Sequence, residues 1–437
     1  MDHSNSALRT DRYEFTMLNA ALLDGTAARR AVFEVFARFL PEGRSFGVVG
    51  GTERAVDTIL NFRFSDDQVS WLVDEGVVDA QFRDNLRDFA FTGSVFGYGE
   101  GELYLANSPI LRIEASFGEG VILETLVLSI LNHDTAVAST AARMAIAAQG
   151  RRLIEMGSRR THEEGAVHAA RAAYLGGFDA TSNLQAGFLY GVPTAGTAAH
   201  AWVLAHDSEF DAFVAQIEAQ GVGTTLLVDT FDTTAGIVAA VKAANHFGAT
   251  GPGAVRIDSG DLLAGSVAGR ELLNSLGATE TRIVATGDLD EYRIDELVSA
   301  GAPVDAFGVG TRLVTGANCP SPGFVYKLVA IESREGTMSA VAKRSLEKQD
   351  SGGTTFVRRL SVDEARRAGL TVTASRATVE VLFKDEPDDS VNPTWTHVQR
   401  PFIVKGARGE REAELVELRA RTLERLTSPT GLLQRPL

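Results

Sequence analysis

Thr224-Thr225-Leu226-Leu227-Val228-Asp229-Thr230, Gly253-Ala254-Val255-Arg256-Ile257-Asp258-Ser259-Gly260-Asp261, Arg282-Ile283-Val284-Ala285-Thr286-Gly287-Asp288-Leu289-Asp290 and Val304-Asp305-Ala306-Phe307-Gly308-Val309-Gly310-Thr311-Arg312 decide the fold. In each, a short apolar run ends in a polar or glycine cluster, and after the first three comes an amphipathic segment of helix length. From Asp229 to Asp258 is 29 residues and from Asp258 to Asp288 is 30, the length of one strand-helix unit in a parallel α/β fold. In a barrel of such units the strand C-termini meet at one rim, where chemistry is done. Three aspartates and a glycine-rich loop are therefore expected around one pocket.

The chain has 437 residues, long for a single core, so two or three domains are expected. Its formal net charge of −15 argues against nucleic acid as the main partner and makes any clustered arginine informative, since an anionic ligand would need a local positive site. A single cysteine, Cys319, rules out an intrachain disulfide and fits a reducing compartment. The first residues carry no basic stretch followed by an apolar core, and no apolar run approaches the roughly 20 residues that span a bilayer. A cytoplasmic protein without a membrane partner is expected.

Outside the repeat, residues 10–24 read as a helix capped by Thr10 or Asp11, 31–39 as a strand and 51–60 as a second helix. Residues 91–113 read as strands, and 118–149 as a long helical region whose alanine-rich second half permits close packing. Thr161-His162-Glu163-Glu164 fits a capping box opening a helix through Tyr174. After Thr315 the pattern turns to separate β segments at 324–331, 338–344, 354–360 and 379–383, followed by a charged helix over 408–426. The expected architecture is α/β: an irregular parallel α/β barrel over 118–330, with a smaller α+β domain built from both chain ends, 1–117 and 331–437.

Several constellations admit a structural and a chemical reading. Asp258-Ser259-Gly260-Asp261 can be a turn and a helix cap, but Arg256 lies on the same strand face as Asp258, and a buried Arg/Asp pair needs a reason. Gly308-Val309-Gly310-Thr311 resembles a backbone nest for phosphate, although it is neither a Walker A loop nor a dinucleotide fingerprint. Gly157-Ser158-Arg159-Arg160 is a solvated basic turn or an anion clamp. His200 follows a Gly-Thr pair and opens a helix; no second His or Cys stands at metal-ligand spacing, so zinc is not expected. Of Asp288 and Asp290, one can cap the next helix and the other can face a sugar or a developing cation.

Together these residues resemble the nicotinate phosphoribosyltransferase family. The matching pieces, in order, are Asp11-Arg12-Tyr13-Glu14-Phe15-Thr16-Met17, Gly157-Ser158-Arg159-Arg160, Gly177-Phe178-Asp179-Ala180-Thr181-Ser182-Asn183, Gly196-Thr197-Ala198-Ala199-His200, Arg256 through Asp261, Gly287-Asp288-Leu289-Asp290-Glu291-Tyr292, Phe307 through Leu313, and Tyr326-Lys327-Leu328-Val329. The resemblance implies an enzyme of NAD salvage that joins nicotinate to 5-phosphoribosyl-1-pyrophosphate (PRPP), giving nicotinate mononucleotide and pyrophosphate with coupled ATP hydrolysis. It implies that His200 is transiently phosphorylated. Asp288 and Asp258 would act with it, Asp288 at the ribose. Tyr13, Met156, Ser182 and Arg256 would surround nicotinate. Arg159, Asn183, Ser259, Gly287, Gly308, Gly310 and Thr311 would contact PRPP and its phosphates. Mg²⁺ would accompany pyrophosphate and ATP. Tyr13 would reach a partner's site, which implies a head-to-tail homodimer.

The residue types suit the chemistry. Displacement at the anomeric carbon passes through an oxocarbenium-like state that favours nearby negative charge, while the leaving pyrophosphate favours Mg²⁺ and arginine. The pyridine nitrogen is the nucleophile, so positioning carries much of the barrier lowering. Ser182 can donate to nicotinate's carboxylate, where family relatives that use nicotinamide have an aspartate. Two positions depart from the family pattern. Met156 replaces an aromatic residue beside the pyridine, and Lys343-Arg344-Ser345 with Gln349-Asp350-Ser351-Gly352-Gly353 lacks the proline of a Pro-Gly-x-Lys loop. The competing readings are a nicotinamide- or quinolinate-using relative, a non-catalytic phosphosugar or nucleotide sensor, and a sugar-phosphate aldolase or isomerase on a barrel.

Overall fold

The computed structural model describes residues 7–345, 348–349, 352–369, 378–388, 390 and 394–427. The departing loop near Lys343 lies partly outside them. The chain divides into two compact units, Met1–Ala136 with Ser321–Leu437, and Val137–Pro320. The boundary runs through a long helix, Glu124–Ala148.

The first unit is organised by a seven-stranded antiparallel sheet in the order Met338–Ala340, Phe324–Glu332, Arg30–Ala37, Leu111–Ser116, Ser94–Tyr98, Gln399–Val404, Ala407–Arg408. Strands from the two ends of the sequence thus pair directly: Ala31 to Ala37 lie opposite Ile331 to Phe324, and Gln399 opposite Tyr98. Phe33, Val35, Val95, Leu111, Ile113 and Phe402 form its core, with the Phe33 and Tyr326 rings 5.0 Å apart. Closing a sheet over so long a loop costs only slowly growing chain entropy, which the buried aromatic area offsets.

The second unit carries a six-stranded parallel sheet in the order Ala180–Thr181, Arg152–Glu155, Ala306–Val309, Arg282–Thr286, Ala254–Ile257, Thr225–Leu227. The expected irregular barrel is a curled half-barrel, open between its two short edge strands. The helices expected after the first three strands of the repeat run Thr233–His246, Leu262–Ser275 and Glu291–Ser299. In the long helix Ala138, Ala141 and Ala142 are fully buried, as close packing requires.

Two local expectations change. The helix expected from residue 161 begins at Glu163, and its cap is His162, whose Nδ1 accepts from the Glu164 N–H at 3.3 Å; Thr161 is extended, one residue outside. The charged C-terminal helix begins at Leu415 rather than at 408. Residues 407–408 instead form an edge strand, and Glu410 and Glu412 are drawn off to Arg400 at 2.8 and 2.7 Å. Periodicity cannot register such long-range ion pairs. No helix among the described residues is long and apolar enough to cross a membrane.

Candidate active site

Three strand ends of the parallel sheet follow one local rule. After the strands Thr225–Leu227, Ala254–Ile257 and Arg282–Thr286, two acids follow, and the second, two or three residues on, caps the following helix. Asp232 accepts from Ala235 N at 2.8 Å, Asp261 from Leu263 N and Ala264 N at 3.0 and 3.1 Å, and Asp290 from Arg293 N at 2.9 Å. A carboxylate at this position satisfies orphan N–H groups and suits the helix dipole. Of Asp288 and Asp290, the cap is Asp290; Asp229, Asp258 and Asp288 are not used as caps.

At the centre lies the Arg256–Asp258 pair. Arg256 Nη2 donates to Asp258 Oδ1 at 2.9 Å, Nη1 to Thr197 Oγ1 at 3.0 Å and Nε to Thr286 Oγ1 at 2.9 Å. Thr286 in turn donates to Asp258 Oδ1. The side chain of Arg256 is 13% exposed, and three of its five N–H donors are engaged, which leaves two. Burial would raise the Asp258 carboxyl, but the hydrogen bonds from Thr286 and Arg256, the Arg256 charge and His200 outweigh it and hold the group below its ordinary value. Asp258 is therefore an anion at neutral pH.

His200 opens the helix His200–Leu204 and stands over this pair. Its Nδ1 lies 3.1 Å from Thr230 Oγ1 and its Nε2 3.9 Å from Asp258 Oδ2, beyond hydrogen-bond reach. When Nδ1 donates to Thr230, Nε2 carries the lone pair and is free to act as a nucleophile. Asp229 completes the layer beneath: its Oδ2 accepts from Asp258 N at 2.9 Å and Ser259 Oγ at 2.8 Å. Its Oδ1, like Glu209 Oε1, is buried without a hydrogen-bond partner, and burial, then Asp232 and Asp229, push the Glu209 carboxyl up.

A cavity of about 750 Å³ opens here, lined by Met156, Arg159, Ser182, His200, Arg256 and Asp258 among others. Six of the sequence-derived site residues thus share one pocket. The others stand apart from its lining, for identifiable reasons. Asn183 caps the helix Leu184–Tyr190 by accepting from Ala186 N at 2.9 Å, and its amide donates to Ser158 Oγ at 3.1 Å. Ser259 is committed to Asp229. Gly287, with φ of 111°, brings the backbone so close to the neighbouring strand that an added Cβ would sit 2.5 Å from Asp258 O. Asp288 is exposed and holds a left-handed φ of 44°, a strained backbone of the kind that concentrates at functional sites.

Gly308 lies inside the strand Ala306–Val309, paired with Ile154 and Thr286, not in the turn. Its lack of a side chain serves packing: a Cβ there would sit 2.5 Å from Thr286 Cγ2 and 2.8 Å from Met156 Sδ. Gly310 and Thr311 do form the turn and open the four-residue helix Thr311–Val314. Tyr13 lies in the other unit, on the helix Arg12–Asp24, 44% exposed. Burial first, then the Glu124 and Glu14 charges, push its hydroxyl up to about 12, so it stays protonated.

Sequence reasoning missed Thr197, Thr230, Thr286 and Glu155. The three threonines bond the charged residues, and only their positions beside strand ends or before a helix hinted at this. Among the described residues no group of three or more His, Cys, Asp or Glu is arranged to hold a metal ion.

The chain matches the model of the nicotinate phosphoribosyltransferase (NAPRTase) N-terminal domain over residues 8–132 and that of the NAPRTase family over 151–371. It is 54% identical over 361 residues to nicotinate phosphoribosyltransferase pncB1 of Mycobacterium tuberculosis, covering 80% of this chain and 77% of that one. It is 40% identical over 329 residues to the nicotinate phosphoribosyltransferase of Bacillus subtilis, covering 75% and 67%. Among solved structures, human nicotinic acid phosphoribosyltransferase superposes with a TM-score of 0.78 at 25% identity, over 97% of this chain and 96% of that one. The nicotinate-nucleotide pyrophosphorylase of Pyrococcus furiosus shares the fold, with a TM-score of 0.75 at 23% identity over 96% and 95%.

Proposed function

The chain belongs to the nicotinate phosphoribosyltransferase family, and we propose that its reaction is coupled to ATP through phosphorylation of His200. The enzyme joins nicotinate to PRPP in NAD salvage. The pyridine nitrogen attacks the anomeric carbon, the bond to pyrophosphate breaks, and nicotinate mononucleotide leaves with pyrophosphate as the second product. No proton need be removed from the nucleophile, so the pocket works by placing the reactants and by matching charge.

The two remaining donors of Arg256 and the exposed hydroxyl of Ser182 suit a carboxylate, and Met156 offers a polarisable sulfur to the ring. Arg159 suits the leaving pyrophosphate, and Asp288 the cationic sugar as the bond breaks. Gly287 and the Gly310-Thr311 turn suit the ribose phosphate. In the coupled step, Nε2 of His200 attacks the terminal phosphorus of ATP, the bond to ADP breaks, and water later cleaves the phosphohistidine. Mg²⁺ would be brought in on pyrophosphate or ATP oxygens, with Asp258 as the carboxylate lining the cavity, because Mg²⁺ is held by one or two carboxylates plus phosphates. When bound, it would neutralise charge on the leaving group. A head-to-tail homodimer in the cytoplasm completes the proposal, with the exposed Tyr13 offered to a partner's site.

One observation carries this reading: a histidine with one nitrogen held at 3.1 Å by Thr230 and the other facing an ionised Asp258 at 3.9 Å, which is itself paired with the largely buried Arg256. The test is product formation from nicotinate, PRPP and Mg²⁺ with and without ATP, beside a nicotinamide control. Product from nicotinate only, boosted by ATP with ADP released, is expected. His200→Ala should abolish the ATP-linked part and leave a slow ATP-independent reaction. Full ATP coupling in that variant overturns the role of His200.

A further inference from the structure

The buried carboxylate of Glu155 has no part in the chemistry above, yet it is 1% exposed at the end of a strand, immediately before Met156 of the cavity lining. Burial pushes it up, and hydrogen bonds from Thr181 and Gly157 offset this only in part. A carboxylate kept in such a place costs stability unless its bonds accomplish something. Here they tie two loops together. Oε1 accepts the Gly157 N–H, which opens the turn bearing Ser158 and Arg159. Oε2 accepts the Thr181 hydroxyl, and the Glu155 carbonyl accepts the Ser182 N–H at 2.8 Å. The tie continues outward: the same Thr181 hydroxyl accepts the Asn183 N–H at 2.9 Å, and the Asn183 amide reaches back to Ser158 at 3.1 Å.

We infer that Glu155 and Thr181 form a buried clamp that sets the spacing between the Met156–Arg159 turn and Ser182, and so position the pyridine and pyrophosphate contacts together. The inference rests on the reading of Arg159 and Ser182 as substrate contacts. Its physical basis is that the two oxygens of one rigid carboxylate impose a fixed separation on their two donors, whereas two independent loops would each relax separately. A misplacement of about 1 Å can cost on the order of a hundredfold in rate.

The test uses near-isosteric variants of the full chain. Thr181→Val removes only the hydroxyl, Thr181→Ser keeps it, and Glu155→Gln keeps one acceptor and offers an amide N–H to Thr181. KM for nicotinate and KM for PRPP are measured for each, with thermal unfolding in parallel. Thr181→Val should raise both constants together, by about tenfold or more. Thr181→Ser should lie near wild type, and Glu155→Gln between the two. A purely structural clamp would lower the unfolding temperature and leave both constants within twofold in the folded enzyme, which overturns the inference. Arg159→Ala and Ser182→Ala separate the two levels. If they raise the PRPP and nicotinate constants while the clamp variants do not, only the clamp fails. If they change neither, the reading of those loops fails first.

Discussion

Gly308→Ala separates a steric role for this glycine from the phosphate-nest role suggested by its sequence context. The added methyl would sit 2.5 Å from Thr286 Cγ2 and 2.8 Å from Met156 Sδ, well inside contact distance. Methionine can yield, but Thr286 is held: its hydroxyl donates to Asp258 and accepts from Arg256 at 2.9 Å, so rotating the methyl away breaks both bonds. Overpacking of this kind costs about 1–3 kcal/mol. At about 2–4 °C per kcal/mol for a unit of this size, melting should fall by several degrees. Displaced Met156 should also raise KM for nicotinate. The decisive variant is the double substitution Gly308→Ala with Thr286→Ser, which deletes the struck methyl and keeps the hydroxyl. It should recover most of the lost stability and affinity by thermal unfolding and steady-state kinetics. Alanine keeps its backbone N–H, so a nest role predicts little change in either variant. No destabilisation by Gly308→Ala, or no rescue by Thr286→Ser, would refute the steric argument.

Asp288→Gly removes a left-handed non-glycine residue, so it should leave stability unchanged or slightly raised while lowering kcat/KM for PRPP; a parallel loss of stability would mark Asp288 as structural. Asp290→Ala should do the reverse, costing about 1 kcal/mol of stability through the lost cap with kinetic constants little altered, read by denaturant unfolding. Asp258 is held below its ordinary value, so its stabilisation is complete above the free-aspartate value of about 3.9 and drains away as pH falls through the lower folded value; Asp258→Asn should flatten that acid limb and cost about 1–3 kcal/mol at neutral pH. Ser182→Asp should depress nicotinate turnover through repulsion of the carboxylate, and unchanged turnover would count against the assigned contact.

Much was legible in the sequence because it depends on short-range regularity. The spacing of Asp229, Asp258 and Asp288 reported the strand-helix repeat, and Arg256 with Asp258 on one strand face foretold their ion pair. His200, Arg159, Ser182 and Met156 were named as site residues by resemblance, and the fold brings them to one cavity. Which of Asp288 and Asp290 caps the next helix was open in the residue pattern, because both are acids beside a helix start; only the bond from Arg293 N to Asp290 identifies the cap. Gly308 read as part of a turn because Gly-x-Gly has the same composition in a strand and in a loop, and only the pairing with Ile154 and Thr286 distinguishes them. The link between Glu155 and Thr181 was invisible, since it spans 26 residues of chain; Thr181 lies in a matching motif and Glu155 in none, and nothing in the order of residues pairs them. The sequence by itself determined the α/β repeat and the polar groups at the strand ends, because these follow from periodicity and local residue chemistry, and its ordered motifs carried the family resemblance. Tertiary structure alone decided which of those groups face the cavity, which are spent on caps and clamps, and how two distant ends of the chain make one antiparallel sheet, because burial and long-range hydrogen bonds are properties of neighbours that the order of residues does not record.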